Sequence, residues 1–201
     1  MICIIPARGG SQRIPGKNKK RFCGKPIIQY SIDTAILSSL FDYIYVSTDD
    51  DEIMSLVNSY GYDNLTPIIR EPELCADEVG TQEVMREELS RISHMHSIDH
   101  WACCLYATAP LITAGDLQWG FRYLVSDGRP YVISSTADGK DVGGFYFGYT
   151  HAFLTGIPVN DDEGNVIESN ALCLEVDDID INTPEDWARA ENLYEERYGT
   201  K

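Results

Sequence analysis

The chain has 201 residues, of which 43% are hydrophobic, and this predicts one globular domain rather than a disordered chain. The formal net charge is −16, so the overall field opposes binding to nucleic acid. No apolar run approaches the roughly 20 residues of a membrane-spanning helix. No basic segment precedes the first apolar residues, so a secretory signal is not expected either.

Short apolar runs alternate with amphipathic segments along the chain. The first run, Ile2 to Ile5, is typical of a strand buried on both faces of a sheet. Further strands are predicted over residues 43–47, 67–69, 101–106, 131–135, 144–147 and 172–176. Helices are predicted over residues 24–37, 50–60, 81–94, 113–125 and 183–197.

Several helix boundaries carry local signals. Pro26 lies in the first turn of the first helix. Thr113 with Asp116 and Thr183 with Asp186 have the spacing of capping boxes. The Gly- and Asp-rich stretches 135–144 and 156–169 predict loops or a flap. The alternation predicts a three-layer α/β/α, Rossmann-like domain with a mostly parallel sheet, whose ligands bind beyond the carboxyl ends of strands.

A basic loop follows the first strand, where Pro6 and the Gly9-Gly10 pair end the apolar run. It holds six of the 16 Lys and Arg residues: Arg8, Arg13, Lys17, Lys19, Lys20 and Arg21. The first 25 residues contain no acid. Glycine admits close backbone approach and the cations neutralise charge, so we predict a phosphate site; the alternative is a solvated basic loop. The spacing matches neither a Walker loop nor G-x-G-x-x-G.

The six cysteines contain no C-x-x-C pair, and most lie in apolar runs. They are interpreted as small buried hydrophobes in a reducing cytosol, which favours a cytoplasmic location over a disulfide framework or a metal site.

A set of motifs spread over most of the chain resembles one enzyme family. The motifs are Ile4 to Ser11, Arg13 to Pro15, Lys17-Asn18, Phe22 to Ile28, Val46 to Asp50, Arg70 to Asp77, Tyr106 to Leu111, Asp178 to Asp180 and Thr183 to Trp187. They resemble the acylneuraminate (CMP-sialic acid synthetase) cytidylyltransferases, which activate nine-carbon acidic sugars. Arg13 and the Tyr-Ala-Thr-Ala-Pro string most resemble the pseudaminic acid branch.

The resemblance implies a nucleotide-diphospho-sugar-transferase type of fold and a Mg²⁺-dependent reaction. CTP is the co-substrate, a 2-keto sugar acid is the acceptor, and pyrophosphate is released. Pseudaminic acid is the favoured sugar, with sialic and legionaminic acid as alternatives. A further alternative is a degenerate nucleotide-binding homologue without turnover.

The resemblance also implies roles for individual residues. Arg8 and Lys17 contact the triphosphate, and Ser11 with the Gly9-Gly10 amides lines its cradle. Arg13 and Asn18 lie beside it. The residues expected around the nucleoside are Ala7, Arg70 and Thr81. The catalytic set is Arg8, Lys17 and Asp180.

Asp178 and Asp180 are expected to hold Mg²⁺. Alternate residues of a strand share a face, so the pair could converge on one hard cation. The alternative is an acidic strand end that leads into a capped helix, and Asp177 leaves the register open.

Other polar residues have structural interpretations. Asp49 and Asp50 are interpreted as the N-cap of the next helix, and Trp187 as a core anchor. Arg70 could equally pair with Glu71 or Glu73 at the surface. The histidines of the polar connection are expected at the surface: His94, His96 and His100.

Two departures from the family matter. Gln12 stands where the family usually has Lys, which removes one positive charge near the triphosphate. The chain is expected to form a single domain over 1–201. Within this domain the segment around 136–170, which in relatives helps bind the sugar and form the dimer, is shortened. A homodimer therefore stays one alternative. Gly144 replaces a Gln whose amide could have bonded sugar hydroxyls.

Overall fold

The computed structural model describes residues 1–76, 78–94 and 100–199. A seven-stranded sheet in this part of the chain has the order β5-β4-β1-β6-β8-β7-β9. The strands are β1 (Ile2–Pro6), β4 (Tyr43–Thr48), β5 (Leu65–Ile69), β6 (Trp101–Leu105), β7 (Tyr131–Ser135), β8 (Asp141–Tyr149) and β9 (Ala171–Glu175). All pairs are parallel except those of β8 with β6 and β7. The predicted mostly parallel sheet is confirmed.

Helices cover both faces of the sheet. They are α1 (Ile27–Ser38), α2 (Asp51–Ser59), α3 (Thr81–Ser93), α4 (Ala114–Asp127), α5 (Thr150–Thr155) and α6 (Pro184–Tyr198). Successive side chains of a strand point to opposite faces. Cys3 and Ile5 accordingly pack with α1, α2 and α4, whereas Ile2 and Ile4 pack with α3 and α5. The apolar run of β1 is thus buried on both sides, as predicted.

A third apolar cluster joins the two ends of the chain. Phe22 is fully buried and its ring meets those of Tyr30 and Trp187 edge-on, with centroids 5.4 and 5.6 Å apart. Trp187 is 4% exposed, which confirms it as a core anchor. The cluster therefore packs α6 against the segment that contains the basic loop.

The start of the first helix was predicted too early. Residues 21–26 form a small antiparallel hairpin of β2 (Arg21–Phe22) and β3 (Lys25–Pro26), and the helix begins at Ile27. The turn between these strands needs positive φ, which Cys23 (39°) and Gly24 (100°) supply. The hairpin thus provides part of the surface against which Trp187 packs.

The central loop prediction was also partly wrong. Residues 141–144 belong to β8, which extends through residues 141–149, and residues 150–155 form a helix that the sequence did not indicate. The stretch 156–169 is irregular apart from a bridge between Asn160 and Val166.

The local predictions for the starts of the last two long helices are confirmed. Both capping boxes are present. All six cysteines are free: Cys3, Cys103 and Cys104 are buried, and the remaining three are half-buried. His94 and His100 are exposed, whereas His96 and Asp77 lie outside the described residues. The helices of the described ranges are all too short or too polar to cross a membrane.

Gly120 tests how tightly α4 packs on the sheet. A Cβ at this position would lie 2.9 Å from ring carbons of both Phe145 and Phe147. Gly120→Ala should therefore lower the free energy of unfolding by about 1–3 kcal/mol. The measurement is urea denaturation.

Gly115, on the same helix, provides the control, since a Cβ there would meet only Thr113 Oγ1 at 3.5 Å. Gly115→Ala should be neutral or stabilising by up to about 1 kcal/mol. Equal effects of the two substitutions would contradict this packing.

Candidate nucleotide-binding site

A cleft of about 550 Å³ opens beyond the carboxyl ends of β1, β5 and β6. Pro6 ends β1, Arg70 follows β5, and Tyr106 follows β6. The cleft brings together seven residues that the sequence had singled out for the site: Arg8, Ser11, Arg13, Lys17, Asn18, Arg70 and Thr81. Gln12 lines the same cleft. The position agrees with the rule for ligands in parallel sheets.

The six cations of the basic loop separate into two groups. Three do not line the cleft and contact groups outside it. Lys19 donates to Asp50 at 2.7 Å, Lys20 stands 4.3 Å from the ring centroid of Trp187, and Arg21 donates to the Gly24 carbonyl at 2.6 Å. The other three, Arg8, Arg13 and Lys17, line the cleft. Positive charge is thereby concentrated on one wall.

Two side chains connect this wall to neighbouring segments. Asn18 is buried and its amide donates to the Arg8 carbonyl at 2.8 Å. Lys17 Nζ donates to the Ile181 carbonyl at 2.8 Å. Burial lowers the pKa of Lys17, while the charge of Asp180 opposes that shift. Lys17 therefore lies between the cleft and the segment that carries the aspartate pair.

Arg70 is buried, with 4% of its surface exposed, so the surface pairing with Glu71 or Glu73 is wrong. Its guanidinium donates to the Ser47 hydroxyl and carbonyl, both at 3.0 Å. Ser47 in turn donates to the buried carboxylate of Glu88 at 2.6 Å. This network holds the Arg70 side chain against the floor of the cleft.

The glycine pair does not line the cleft. The Gly9 amide donates to Asp49 Oδ1 at 2.7 Å, and a Cβ on Gly9 would lie 3.0 Å from Asp50. Asp50 also caps α2 by accepting from the amides of Glu52 and Ile53, which confirms its N-cap role. Ala7 is fully buried, and its amide donates to the Ser47 carbonyl at 2.8 Å. These residues support the cleft from behind.

A second, larger cavity of about 1150 Å³ adjoins the cleft, and Tyr106 lines both. Its walls come from β8, β9 and the segments 138–140 and 160–169. The lining is polar and carries charge of both signs, with Arg129 and Lys140 as the cations among the described lining residues. Asp180 and Asn182 form the wall nearest to the Ile181 carbonyl that Lys17 contacts.

The aspartate pair does not lie on a strand. β9 ends at Glu175 because its partner β7 ends at Ser135, directly opposite. The premise that alternate strand residues bring Asp178 and Asp180 together is therefore wrong, and residues 177–180 are irregular. Asp177 instead forms an ion pair with Arg197 at the surface. That leaves Asp178 with its carboxylate buried, whereas Asp180 is exposed, lines the larger cavity and accepts a hydrogen bond from the Asn182 amide.

The buried carboxylate of Asp178 has the properties of a ligand for a cation. Both carboxylate oxygens are buried and have no hydrogen-bond partner among the described residues. Burial raises the pKa of Asp178 to about 7, and the nearby charge of Asp180 adds to the shift. Burial also raises the pKa of Asp180, against the charge of Lys17.

The donors fit a hard divalent cation such as Mg²⁺, which prefers oxygen ligands. The described ranges contain no group of three or more His, Cys, Asp or Glu side chains placed to hold a metal. Mg²⁺ is commonly held by one or two carboxylates that substrate phosphates and water supplement. Asp180 lines the larger cavity that adjoins the cleft, whereas Asp178 lines neither cavity.

The sequence did not single out Tyr106, Asp141 and Tyr146 as site residues, although all three line the larger cavity. Of the three, Tyr106 belongs to a motif quoted above, Tyr106 to Leu111. A side chain at position 144 would not point into this cavity. A Cβ there would lie 2.9 Å from Ser134 Oγ and 3.0 Å from Asp178, so a longer side chain would enter the packed interior.

Comparison with solved structures identifies proteins that have a similar fold. The structure of CMP:2-keto-3-deoxy-manno-octonic acid synthetase complexed with CTP superposes with a TM-score of 0.74 over 98% of this chain and 99% of that one. The sequence identity is 17%, so this likeness concerns the fold alone. The likeness thus identifies the fold as a three-layer, Rossmann-like α/β fold with a mostly parallel sheet.

Sequence comparison gives the family. The cytidylyltransferase family model matches residues 2–143. The pseudaminic acid cytidylyltransferase of Campylobacter jejuni is 37% identical over 135 residues, 67% of this chain and 57% of that protein. The CMP-N,N'-diacetyllegionaminic acid synthase of Legionella pneumophila is 26% identical over 97% of this chain and 96% of that protein. The chain therefore belongs to the cytidylyltransferase family.

The sequence matches cover only part of this chain's relatives and only part of the candidate site. The chain spans just over half the length of its Campylobacter jejuni relatives. The family match includes the basic loop, Arg70, Thr81 and Tyr106, but ends before Asp178 and Asp180.

Replacing Asp178 tests the cost of burying its carboxylate. The pKa of Asp178 is raised from the ordinary value of 3.8 to about 7. Between these two pH values the folded protein keeps Asp178 protonated, whereas the unfolded chain releases the proton. The stability that Asp178 contributes therefore falls as pH rises through this window. In chelator-containing buffer at pH 8, Asp178→Asn should raise the free energy of unfolding by up to about 4 kcal/mol.

The gain should shrink as the pH approaches 4, and urea denaturation at both pH values measures it. The exposed residue Asp162 gives the control, since Asp162→Asn should change stability little at either pH. A metal-free Asp178→Asn protein less stable than the parent at pH 8 would contradict the account.

Proposed function

We propose that this protein transfers CMP from CTP to a nonulosonic acid, a 2-keto sugar acid of nine carbons, and releases pyrophosphate. The observation that carries the proposal is the pair of adjoining cavities that share Tyr106. One has three cations on its wall and suits a triphosphate. The other is larger, polar and open to a sugar-sized ligand.

In the proposed reaction the anomeric hydroxyl of the sugar attacks the α-phosphorus of CTP. A new bond forms between the sugar oxygen and the α-phosphorus, and the bond from that phosphorus to the oxygen bridging to the β-phosphate breaks. Pyrophosphate leaves with the bridging oxygen, and the hydroxyl proton passes to water. Catalysis of phosphoryl and nucleotidyl transfer rests mainly on positioning and on neutralising charge. Arg8, Arg13 and Lys17 would neutralise the triphosphate.

The remaining cleft residues would hold the nucleotide in place. Arg70 is fixed by Ser47, and Thr81 stands at the first turn of α3. Ser11 lines the cleft, and Asn18 anchors the backbone of Arg8. Ala7 and the Gly9-Gly10 pair would support the loop from behind rather than contact the phosphates directly.

Mg²⁺ would be held by Asp178 and Asp180, with phosphate oxygens completing its ligands. When bound, the ion neutralises negative charge on the triphosphate and polarises the phosphoryl group.

The carboxylate of the sugar would meet positive charge from Arg129 and Lys140 in the larger cavity. A single domain over 1–201 would contain both substrate sites, and dimerisation is not required by this arrangement.

Pseudaminic acid is the proposed sugar because Arg13 and the Tyr106 to Pro110 string match that branch, which the relative from Campylobacter jejuni represents. Legionaminic acid is the second candidate, since the Legionella relative matches along nearly its whole length. Sialic acid and a binding protein without turnover are the remaining alternatives. Gln12 and the short 136–140 turn motivate the last of these.

The test is pyrophosphate release with CTP, Mg²⁺ and each of the three sugars. We expect release to be fastest with pseudaminic acid and to stop when a chelator removes the cation. CTP alone and each sugar alone serve as controls. No release with any sugar from folded protein would contradict the enzyme. Thermal stabilisation by CTP in that case would identify the binding protein instead.

A further inference from the structure

The side chain of Gln82, on helix α3, bonds to the backbone of the segment 157–169. Its amide nitrogen donates to the Ile157 carbonyl at 3.0 Å, and its amide oxygen accepts from the Val159 amide at 3.2 Å. The Tyr131 hydroxyl donates to the same Ile157 carbonyl at 2.9 Å and accepts from the Gln82 amide at 3.4 Å. One amide group thus bonds to two alternate residues of the segment, as a residue of a neighbouring parallel strand would.

The segment that Gln82 holds forms one wall of the larger cavity. Residues between Asn160 and Ser169 line that cavity, whereas Gln82 itself is not among the described lining residues of either cavity. The Ile167 amide donates to the Val159 carbonyl at 2.9 Å, so the returning half of the segment is joined to the residue that Gln82 contacts. The position of the wall therefore follows from the position of Val159.

Helix α3 gives this wall a fixed reference. Met85 and Leu89 are fully buried in the apolar cluster that includes residues of β1, so the helix is packed on the sheet. Thr81, the first residue of α3 and the neighbour of Gln82, lines the nucleotide cleft. The first turn of α3 therefore meets the nucleotide cleft with one residue and holds the wall of the larger cavity with the next.

Apolar packing alone would not fix the register of the segment. Val159 is buried, but hydrophobic contact has no direction, whereas hydrogen bonds require particular atoms at about 3 Å. We propose that Gln82 is a positioning residue for the acceptor sugar, because it fixes the wall 160–169 relative to the helix that begins at the nucleotide cleft. The inference rests on the proposed function, since it takes the sugar acid as the occupant of the larger cavity.

Gln82→Ala tests the proposal because it removes both bonds to the segment and keeps a good helix former in α3. Pyrophosphate release, measured with the sugar that the parent uses fastest, should show the KM for the sugar raised roughly 5- to 10-fold. The kcat should stay within about 2-fold, because the lost bonds hold the wall and not the reacting groups. Calorimetry should show the Kd for CTP within about 2-fold of the parent, since Thr81 and the packed face of α3 are unchanged.

Gln118→Ala is the matched control. Gln118 also donates its amide to a backbone carbonyl, that of Ser38 at 3.1 Å, but it lies on α4, on the other face of the sheet. All three constants should stay within about 2-fold of the parent in this variant. If Gln82→Ala does not fold, Tyr131→Phe takes its place. It keeps the ring, removes the hydroxyl that donates to the Ile157 carbonyl, and should raise the KM for the sugar roughly 2- to 5-fold.

An unchanged KM for the sugar in folded Gln82→Ala would overturn the inference, and so would a loss of CTP affinity as large as the rise in that KM. A fall in kcat as large as the rise in KM would overturn it as well. These results leave turnover by the parent, and with it the proposed function, intact. A folded parent protein that releases no pyrophosphate with any of the three sugars would overturn both proposals at once.

Discussion

The packing of Phe22, Tyr30 and Trp187 holds the two ends of this chain together. Phe22 belongs to the hairpin that follows the basic loop, and Trp187 belongs to α6. Because their rings meet in one buried cluster, the basic loop is held beside the segment that precedes α6. That segment carries Asp178 and Asp180, so a cation wall and an acidic pair that are far apart in sequence become neighbours.

Polar contacts reinforce the same junction. Lys20 lies over the Trp187 ring, Lys17 donates to the Ile181 carbonyl, and Arg197 holds Asp177 from the far end of α6. The consequence is electrostatic. A protein of net charge −16 presents a local cluster of cations to an anionic ligand, and the carboxylate of Asp180 lies near Lys17 of that cluster. Such a junction is suited to a polyphosphate together with a divalent cation.

Sequence reasoning succeeded where the signal is local. The capping boxes of α4 and α6, the buried first strand and the N-cap at Asp50 all depend on residues within a few positions of one another. It failed where the cause lies far along the chain. Local sequence does not show that Lys19 and Lys20 contact Asp50 and Trp187, which lie far along the chain, so only the family motifs separated these cations from Arg8, Arg13 and Lys17.

The aspartate pair shows the same limit. Its strand placement was wrong because β7 ends before residues 177–180 could pair, a fact of sheet register that sequence spacing does not contain. The rings of Tyr106, which follows β6, and Tyr146, on β8, meet edge-on and are likewise brought together by antiparallel pairing. By contrast, the family resemblance found the cleft residues Arg8, Lys17, Arg70 and Thr81.

The central claim is that Arg8, Arg13 and Lys17 form the wall that binds a triphosphate, whereas Lys19, Lys20 and Arg21 stabilise the fold. Calorimetric titration of CTP into Arg8→Ala and Arg21→Ala tests it most directly, since both changes remove one guanidinium from the same loop. Loss of a charge-assisted contact should weaken binding roughly 10- to 100-fold in Arg8→Ala. Arg21→Ala should bind within about 2-fold of the parent. Equal losses in the two variants would contradict the account.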